Sequence, residues 1–455
     1  MLLLRAIAAQ GRQPAGIPPF NVHRFVLPRM KKKSVSPLLV LGSAFLVCAT
    51  SPLQAFYEFG RGELILSTTA TSTYDSRVNG GMNEDDDLIF SVFPEFRYIR
   101  DAAQIKLDGS AGVRVNRYLD YDQYDSEDIH TNLLVRFPPD IGPRVSGLAR
   151  LAYNESVDIN YDVNERISSE TFLAQGDATI VTGLKTSVNL SAIFTDMDRD
   201  IYGTMEHLNL NAGFNYRDFL GGSTLSLRYR RLEASTMGTL SMNEIDQSSD
   251  TYTLSFSRPV FGEVRGSISY GYRILRRDAS ETFIGETDDN GSVFTAGLEG
   301  PFLPRSKFPK LTSAIYFSYQ RAETPGINDV GGNRIAGRLS LRWQARETTQ
   351  LAINAERNQV LSVNNLTTEN NRLYLSLNQD IGHFVKAFAT VGYETRDYRG
   401  LTRNDDVYVA SIGASYRATR AWTMSANYRF RDSQSTLSLA DYTRHLVSVS
   451  ANYTF

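Results

Sequence analysis

The chain is poor in the residues from which disulfide frameworks and most metal or nucleophilic sites are built. It has a single cysteine, Cys48. One thiol excludes a disulfide framework and a multi-cysteine metal site. Its five histidines, His23, His130, His207, His383 and His445, lie far apart with no metal-ligand spacing. Beyond the first 55 residues no apolar run approaches the ~18 residues that a membrane-spanning helix needs. No amphipathic helical stretch, dividing linker, nucleotide motif or nucleic-acid motif is present. Charge of one sign is lacking too, since 48 Lys and Arg stand against 50 Asp and Glu for a net charge of -2. These absences argue against a helical membrane protein, a disulfide-stapled domain and a nucleic-acid binder. Tryptophan is scarce at 2, whereas tyrosine and phenylalanine number 24 each, so the aromatic content is carried by those two types.

What the chain does have is alternation. Its last stretch, Thr443 to Phe455, carries Val447, Val449, Ala451, Tyr453 and Phe455 on one face. Ser448, Ser450, Asn452 and Thr454 occupy the other. That is the period of two of a strand with one apolar and one wet face. A sheet whose apolar face meets lipid and whose polar face meets a watery lumen demands this pattern, with aromatics at headgroup level. The stretch resembles the C-terminal strand of outer-membrane β-barrels, and the resemblance implies that Tyr453 and Phe455 form a signal read by the barrel-assembly machinery.

The N-terminal region reads as processing signals. Met30-Lys31-Lys32-Lys33 is a basic start, Pro37 to Thr50 an apolar core, and cleavage is expected after Ala55. We therefore expect a gene-model extension over 1–29, a secretory signal peptide over 30–55 and one outer-membrane barrel over 56–455. Only a few residues separate Ala55 from the strand that starts at Gly62, which leaves no room there for the plug domain of energy-coupled receptors.

From Gly62 onward two kinds of connector alternate. The short kind includes Arg100-Asp101, Pro138 to Pro143, Thr182 to Leu184, Phe219 to Gly222, Pro259 to Gly262, Arg346 to Thr348, Asp380 to His383 and Ala418 to Arg420. The long, polar kind includes Asp75 to Asp87, Leu119 to Asp128, Asp158 to Glu170, Met237 to Asp250, Asp278 to Gly291, Val360 to Asn371 and Asp397 to Asp406. Short turns at one rim and long loops at the other predict an all-β fold, a single antiparallel up-and-down transmembrane barrel. Its turns are periplasmic, its long loops extracellular, and it has about 18–20 strands. A barrel that wide cannot be filled by its wall side chains alone, so it holds water or folded-in loops.

With the apolar faces toward lipid, the luminal face carries Arg114, Arg228, Arg230, Arg265, Arg273, Arg338, Arg342, Arg417, Arg429 and Arg431. Lys106, Arg150 and Lys386 join them, while the inward acids are fewer: Asp108, Glu356, Asp380 and Glu394. An arginine-lined channel favours anions. The same arginines also suit a plainer role, pairing with loop acids that fold into the lumen. No catalytic set emerges. His445 is outward on the last strand and reads as an interfacial residue. The acidic run Asn83 to Asp87 is either a solvated loop or a divalent-cation binder.

Ser67 to Val78, with its Tyr74-Asp75-Ser76 turn, followed by Asp85 to Pro94, resembles the opening of the "putative β-barrel porin" group. That group is similar to barrels encoded with exopolysaccharide synthesis. The resemblance implies a non-enzymatic barrel without cofactor that passes polysaccharide outward. The expected function is thus an outer-membrane channel for anionic solutes or an acidic exopolysaccharide, with lipid and the assembly machinery as partners and no nucleic acid. The alternative is a closed structural barrel whose acidic loops bind polysaccharide or another partner.

Overall fold

A computed structural model describes residues 56–80, 85–138, 144–160, 165–200, 203–237, 244–279, 289–303, 306–308, 310–322, 334–361, 367–398, 402–437 and 440–455. The expected extension over 1–29 and leader over 30–55 lie outside the described residues, as do Asn83 and Glu84 of the acidic run.

The strands are β1 (Phe56–Phe59), β2 (Gly62–Asp75), β3 (Asp87–Asp101), β4 (Lys106–Tyr118), β5 (Ser126–Phe137), β6 (Val145–Asn160) and β7 (Glu165–Val181). There follow β8 (Thr186–Arg199), β9 (Met205–Arg217), β10 (Thr224–Met237), β11 (Glu244–Phe261), β12 (Val264–Ala279), β13 (Asp289–Glu299) and β14 (Leu311–Ala322). The last are β15 (Arg334–Arg346), β16 (Thr349–Leu361), β17 (Thr367–Ile381), β18 (Val385–Tyr398), β19 (Arg403–Arg417), β20 (Trp422–Ser435) and β21 (Tyr442–Thr454). From β2 onward each pairs antiparallel with the next, and β21 pairs back onto β2 from Ser67↔Thr454 to Asp75↔Leu446. The ring therefore closes at 20 strands, the upper end of the expected range. At a strand spacing of ~4.8 Å and ordinary tilt, its backbone is about 40 Å across.

β1 is not part of the ring. It folds back on β2 through Gly60 and Arg61, both at positive φ (54° and 74°), the geometry of a tight hairpin turn. The β21 ladder ends where the Phe455 N–H donates to Leu66 C=O at 2.8 Å, and β1 takes up the same edge of β2 at Phe56↔Ile65. The first and last strands of the described chain thus lie end to end along one seam.

The expected short turns from Thr182 to Arg420 lie at or within two residues of the strand ends, whereas Arg100-Asp101 is the end of β3 and its turn follows at 102–105; most of the turn expected over Pro138 to Pro143 lies outside the described residues. The long polar stretches are less loop than expected: Met237 to Asp250 contains the start of β11, and β6 and β7 reach to Asn160 and back from Glu165. Polar composition does not stop a hairpin. Above the lipid the ladder hydrogen bonds continue and side chains on both faces can be polar.

Cross-strand partners project to the same face, so one reference point phases the whole ring. Asp75 is wholly buried. No protein layer covers the outside of a barrel, so its face is the interior. Carried around the register, that face holds most of the other buried side chains, including Asp87, Asp128, Ser249, Asn370, Glu394, Asp405 and Arg444. The opposite face carries exposed Leu227, Ile268, Leu375, Ile412 and Val449. This is the lipid face.

On the interior face, glycines sit opposite aromatics. Gly392 pairs with Tyr374 and Gly413 with Phe388. A Cβ on either glycine would run into the facing ring. The missing side chain lets Tyr374 lie flat along the wall, where its hydroxyl reaches Glu394. Gly176, on the lipid face of β7, has open space around it. Gly392→Val should cost ~1–3 kcal/mol through overpacking and lower the temperature of the heat-modifiable gel shift. Gly176→Val should leave that temperature in place. Equal effects would remove the role given to the flat ring.

Candidate functional site

All ten arginines singled out in the sequence lie on the interior face, by the same parity. They do not form one uniform field. Arg114 stacks over Phe93 at 5.2 Å, Arg230 Nε donates to Asn209 at 3.2 Å, and Arg265 reaches Ser257 Oγ at 3.5 Å. Arg273 faces the Gln320 amide. Arg431 is largely buried, donating to Tyr442 Oη at 2.5 Å and lying 3.4 Å from Glu394. Arg228, Arg338, Arg342, Arg417 and Arg429 make no salt bridge among the described residues. Arg417, at the end of β19, and Arg265, at the start of β12, mark the periplasmic rim.

The extracellular half is built differently. Residues 76–80, just past β2, fold inward, and Val78 is wholly buried. Two arginines from distant strands hold this segment. Arg444 on β21 makes a two-pronged bond to Asp75, at 2.9 and 2.6 Å. Arg166 on β7 donates through Nε and Nη2 to Val78 C=O, at 3.1 and 3.0 Å, and lies 4.0 Å from the Asp75 carboxylate. The Arg166 guanidinium also covers Tyr118 and Tyr124 at 5.3 and 5.1 Å. The Arg77 N–H closes on Asp75 Oδ1 at 3.0 Å, and its guanidinium sits 5.5 Å over Tyr442. The Asp87 carboxylate accepts the backbone N–H groups of Asp120 and Tyr121, each at 3.1 Å. Asp87 thereby ties the β4–β5 connection, which contains a short 3₁₀ turn at Asp122–Tyr124, to the same latch.

From Tyr442 the network runs on around the wall. Arg431 and Arg396 flank Glu394, Tyr374 donates to it, and Arg403 pairs with Asp405 at 2.7 Å while covering Tyr398 at 4.2 Å. Sequence reasoning missed much of this. Arg166 falls in a stretch read as loop and so had no phase. Asp75, Asp87 and Asp405 were counted with loop acids rather than with the wall. The one usable signal was the Tyr74 to Val78 run, prominent as a motif but silent about its partners.

The C-terminal aromatics also make specific contacts. Tyr453 packs against Trp422 at 4.7 Å and edge-on to Phe455 at 4.5 Å, an aromatic cluster at the periplasmic rim. His445 lies outward beside Tyr428, whose hydroxyl is 2.9 Å from Nδ1. At the periplasmic turns Lys185 and Asp218 pair at 2.8 Å. The lysine ammonium, then the Gly222 N–H, holds the Asp218 carboxyl below its ordinary range.

Residues 312–455 match the family model described as putative beta-barrel porin 2. Over that segment, about a third of the chain, the sequence is similar to this porin group. No curated protein matches the chain. Among solved structures, the siderophore receptor PiuA from Acinetobacter baumannii is 8% identical with a TM-score of 0.52, covering 88% of this chain and 82% of that one. The ferric citrate transporter FecA is 10% identical with a TM-score of 0.51, covering 86% and 78%. Pseudomonas aeruginosa OccK2 is 12% identical with a TM-score of 0.42, covering 86% and 98%. At these identities the likeness is one of fold. The chain shares with the first two of these outer-membrane proteins the fold of a closed antiparallel β-barrel.

Removing the Arg166 guanidinium should release the inward segment. Bonds to a charged group are worth ~1.5–3 kcal/mol, so opening should become at least about tenfold more frequent in Arg166→Ala. Tryptic cleavage after Arg77, only 5% exposed in the latch, should accelerate accordingly, as mapped by mass spectrometry. Unchanged cleavage would show that something else holds the segment.

Proposed function

We propose that the barrel is an anion-favouring outer-membrane channel, passing small anionic solutes or exporting an acidic exopolysaccharide. The observation that carries this reading is the set of interior arginines without a salt bridge among the described residues: Arg228, Arg338, Arg342, Arg417 and Arg429. Uncompensated guanidinium charge in a confined aqueous path attracts anions and repels cations, and its planar fork suits carboxylate and phosphate. Selectivity is assigned to these five together with Arg114, Arg230, Arg265, Arg273 and Arg431. The latch at the mouth would narrow the path. The reading includes no catalysis and no cofactor. It also includes removal of the leader near Ala55, which N-terminal sequencing of the membrane-inserted protein would test.

A second reading has its own support. The inward fold of residues 76–80, pinned by Arg166 and Arg444, suits a closed structural barrel whose acidic loops bind polysaccharide or a partner.

Protein purified from outer membranes and inserted in a planar bilayer under a salt gradient separates the two. A steady conductance with an anion-side reversal potential is expected. In the triple variant Arg338→Ala, Arg342→Ala, Arg429→Ala the anion-to-cation permeability ratio should fall by about threefold or more. Conductance with unaltered selectivity would move the filter elsewhere, and a folded barrel with no conductance would favour the closed reading. For the assembly signal, Phe455→Ala should reduce the heat-modifiable barrel in outer membranes, while the purified chain still refolds in detergent. Normal membrane levels would remove the signal from Phe455.

A further inference from the structure

One patch of the interior wall holds four buried polar atoms that make no hydrogen bond among the described residues: Asn358 Oδ1 on β16, and Thr368 Oγ1, Asn370 Oδ1 and Arg372 Nε on β17. Thr368 is 2% exposed and Asn370 3%. They are neighbours. Asn358 is the register partner of Asn370, and 368, 370 and 372 are successive interior positions of one strand, together spanning about 13 Å. Buried polar atoms are almost always bonded, and each orphan costs ~1–3 kcal/mol. Four in one patch mark a place built for something that completes it.

The chemistry of the orphans narrows what that is. Two amide oxygens accept, a hydroxyl does both, and the guanidinium nitrogen donates with a fixed positive charge. A simple inorganic anion would satisfy Arg372 and leave the amide acceptors bare. A neutral sugar would satisfy the acceptors and offer the guanidinium no carboxylate beyond the two it shares with other arginines. The surroundings add two aromatic surfaces. Tyr398 stands opposite Thr368 on β18, and Tyr374 lies flat over Gly392 one step below Arg372. Arg372 stands between two acids, Glu356 on β16 and Glu394 on β18. Glu394 is already engaged by Tyr374, Arg396 and Arg431, and Glu356 also faces Arg338 and accepts from Asn358 Nδ2 at 2.9 Å, so neither carboxylate belongs to Arg372 alone.

We propose that this patch is a binding subsite for a hexuronate unit of an oligosaccharide. Arg372 takes the carboxylate, Asn358, Asn370 and Thr368 take ring hydroxyls, and the tyrosines offer faces to the sugar's C–H surface. Lower on the wall, Arg342 and Arg417 differ in kind, because no set of orphaned acceptors stands beside them to hold one sugar. The subsite rests on the channel reading only for how its ligand arrives.

Binding can be measured without conductance. Full-length protein purified from outer membranes, shown folded by heat modification, is titrated calorimetrically with an oligogalacturonate, a malto-oligosaccharide of equal length, and acetate. The uronate should bind at least about tenfold more tightly than either control. Arg372→Gln should lose about tenfold in affinity. Asn370→Ala and Thr368→Val, which leave the charge network intact, should each lose about two- to fivefold, and Arg342→Ala should lose nothing. Failure of the folded protein to bind overturns the subsite. So does equal affinity for acidic and neutral sugars, indifference to both Arg372→Gln and Asn370→Ala, or an equal loss in Arg342→Ala. Binding without bilayer conductance would sink the channel and keep the subsite, whereas conductance without binding would do the reverse.

Discussion

Lipid offers no hydrogen bonds, and everything else in this molecule follows from that. A strand edge left open in the membrane would strand a row of N–H and C=O groups at several kcal/mol each. The ring must therefore close, and here it closes between β2 and β21, the first and last strands of the ring. That seam depends on residues nearly four hundred positions apart finding each other, so its contacts are the most non-local in the fold. The top of the seam also carries the strongest polar cluster. Asp75 ends β2, Arg444 lies on the adjoining strand, and their two-pronged bond locks the register where the ladder leaves the lipid.

A closed ring of this width leaves a lumen that must be wet or filled, and the two halves of the wall answer differently. Toward the short-turn rim Arg228, Arg342 and Arg417 make no salt bridge among the described residues. Toward the outside, Arg444, Arg431, Arg403 and Arg166 are used up on Asp75, Glu394, Asp405 and the backbone of the inward segment. Buried charges tolerate this only when paired and bonded, and the pairing turns a charged wall into a rigid one.

Small residues shape the wall as much as charged ones. Gly392 and Gly413 have no Cβ, so Tyr374 and Phe388 lie along the sheet rather than out into the lumen. The Tyr374 ring joins β17 to β18 and brings its hydroxyl to Glu394. The patch of unsatisfied polar atoms above it is framed by that arrangement.

Much was legible in the chain alone. Strict alternation gave the membrane-crossing strands, because a wall with lipid on one side and water on the other imposes a period of two on each segment. Connector length gave the rims and the orientation. The same alternation put each of the ten arginines on its face, since parity along a strand needs no knowledge of its neighbours. What alternation cannot report is who stands across the lumen. That Arg166 reaches Val78, that Arg444 grips Asp75, and that Arg431 is occupied while Arg429 makes no salt bridge among the described residues all depend on register and on how loops fold back. These arise from contacts between strands far apart in sequence. The polar stretches misled for a related reason: above the lipid the outward side chains no longer need to be apolar, so the pattern fades while the ladder continues. The sequence by itself determined the barrel, its orientation and the sign of its interior wall. The tertiary structure alone decided which of those charges are matched, where the segment past β2 folds inward, and which buried polar atoms are left unbonded among the described residues.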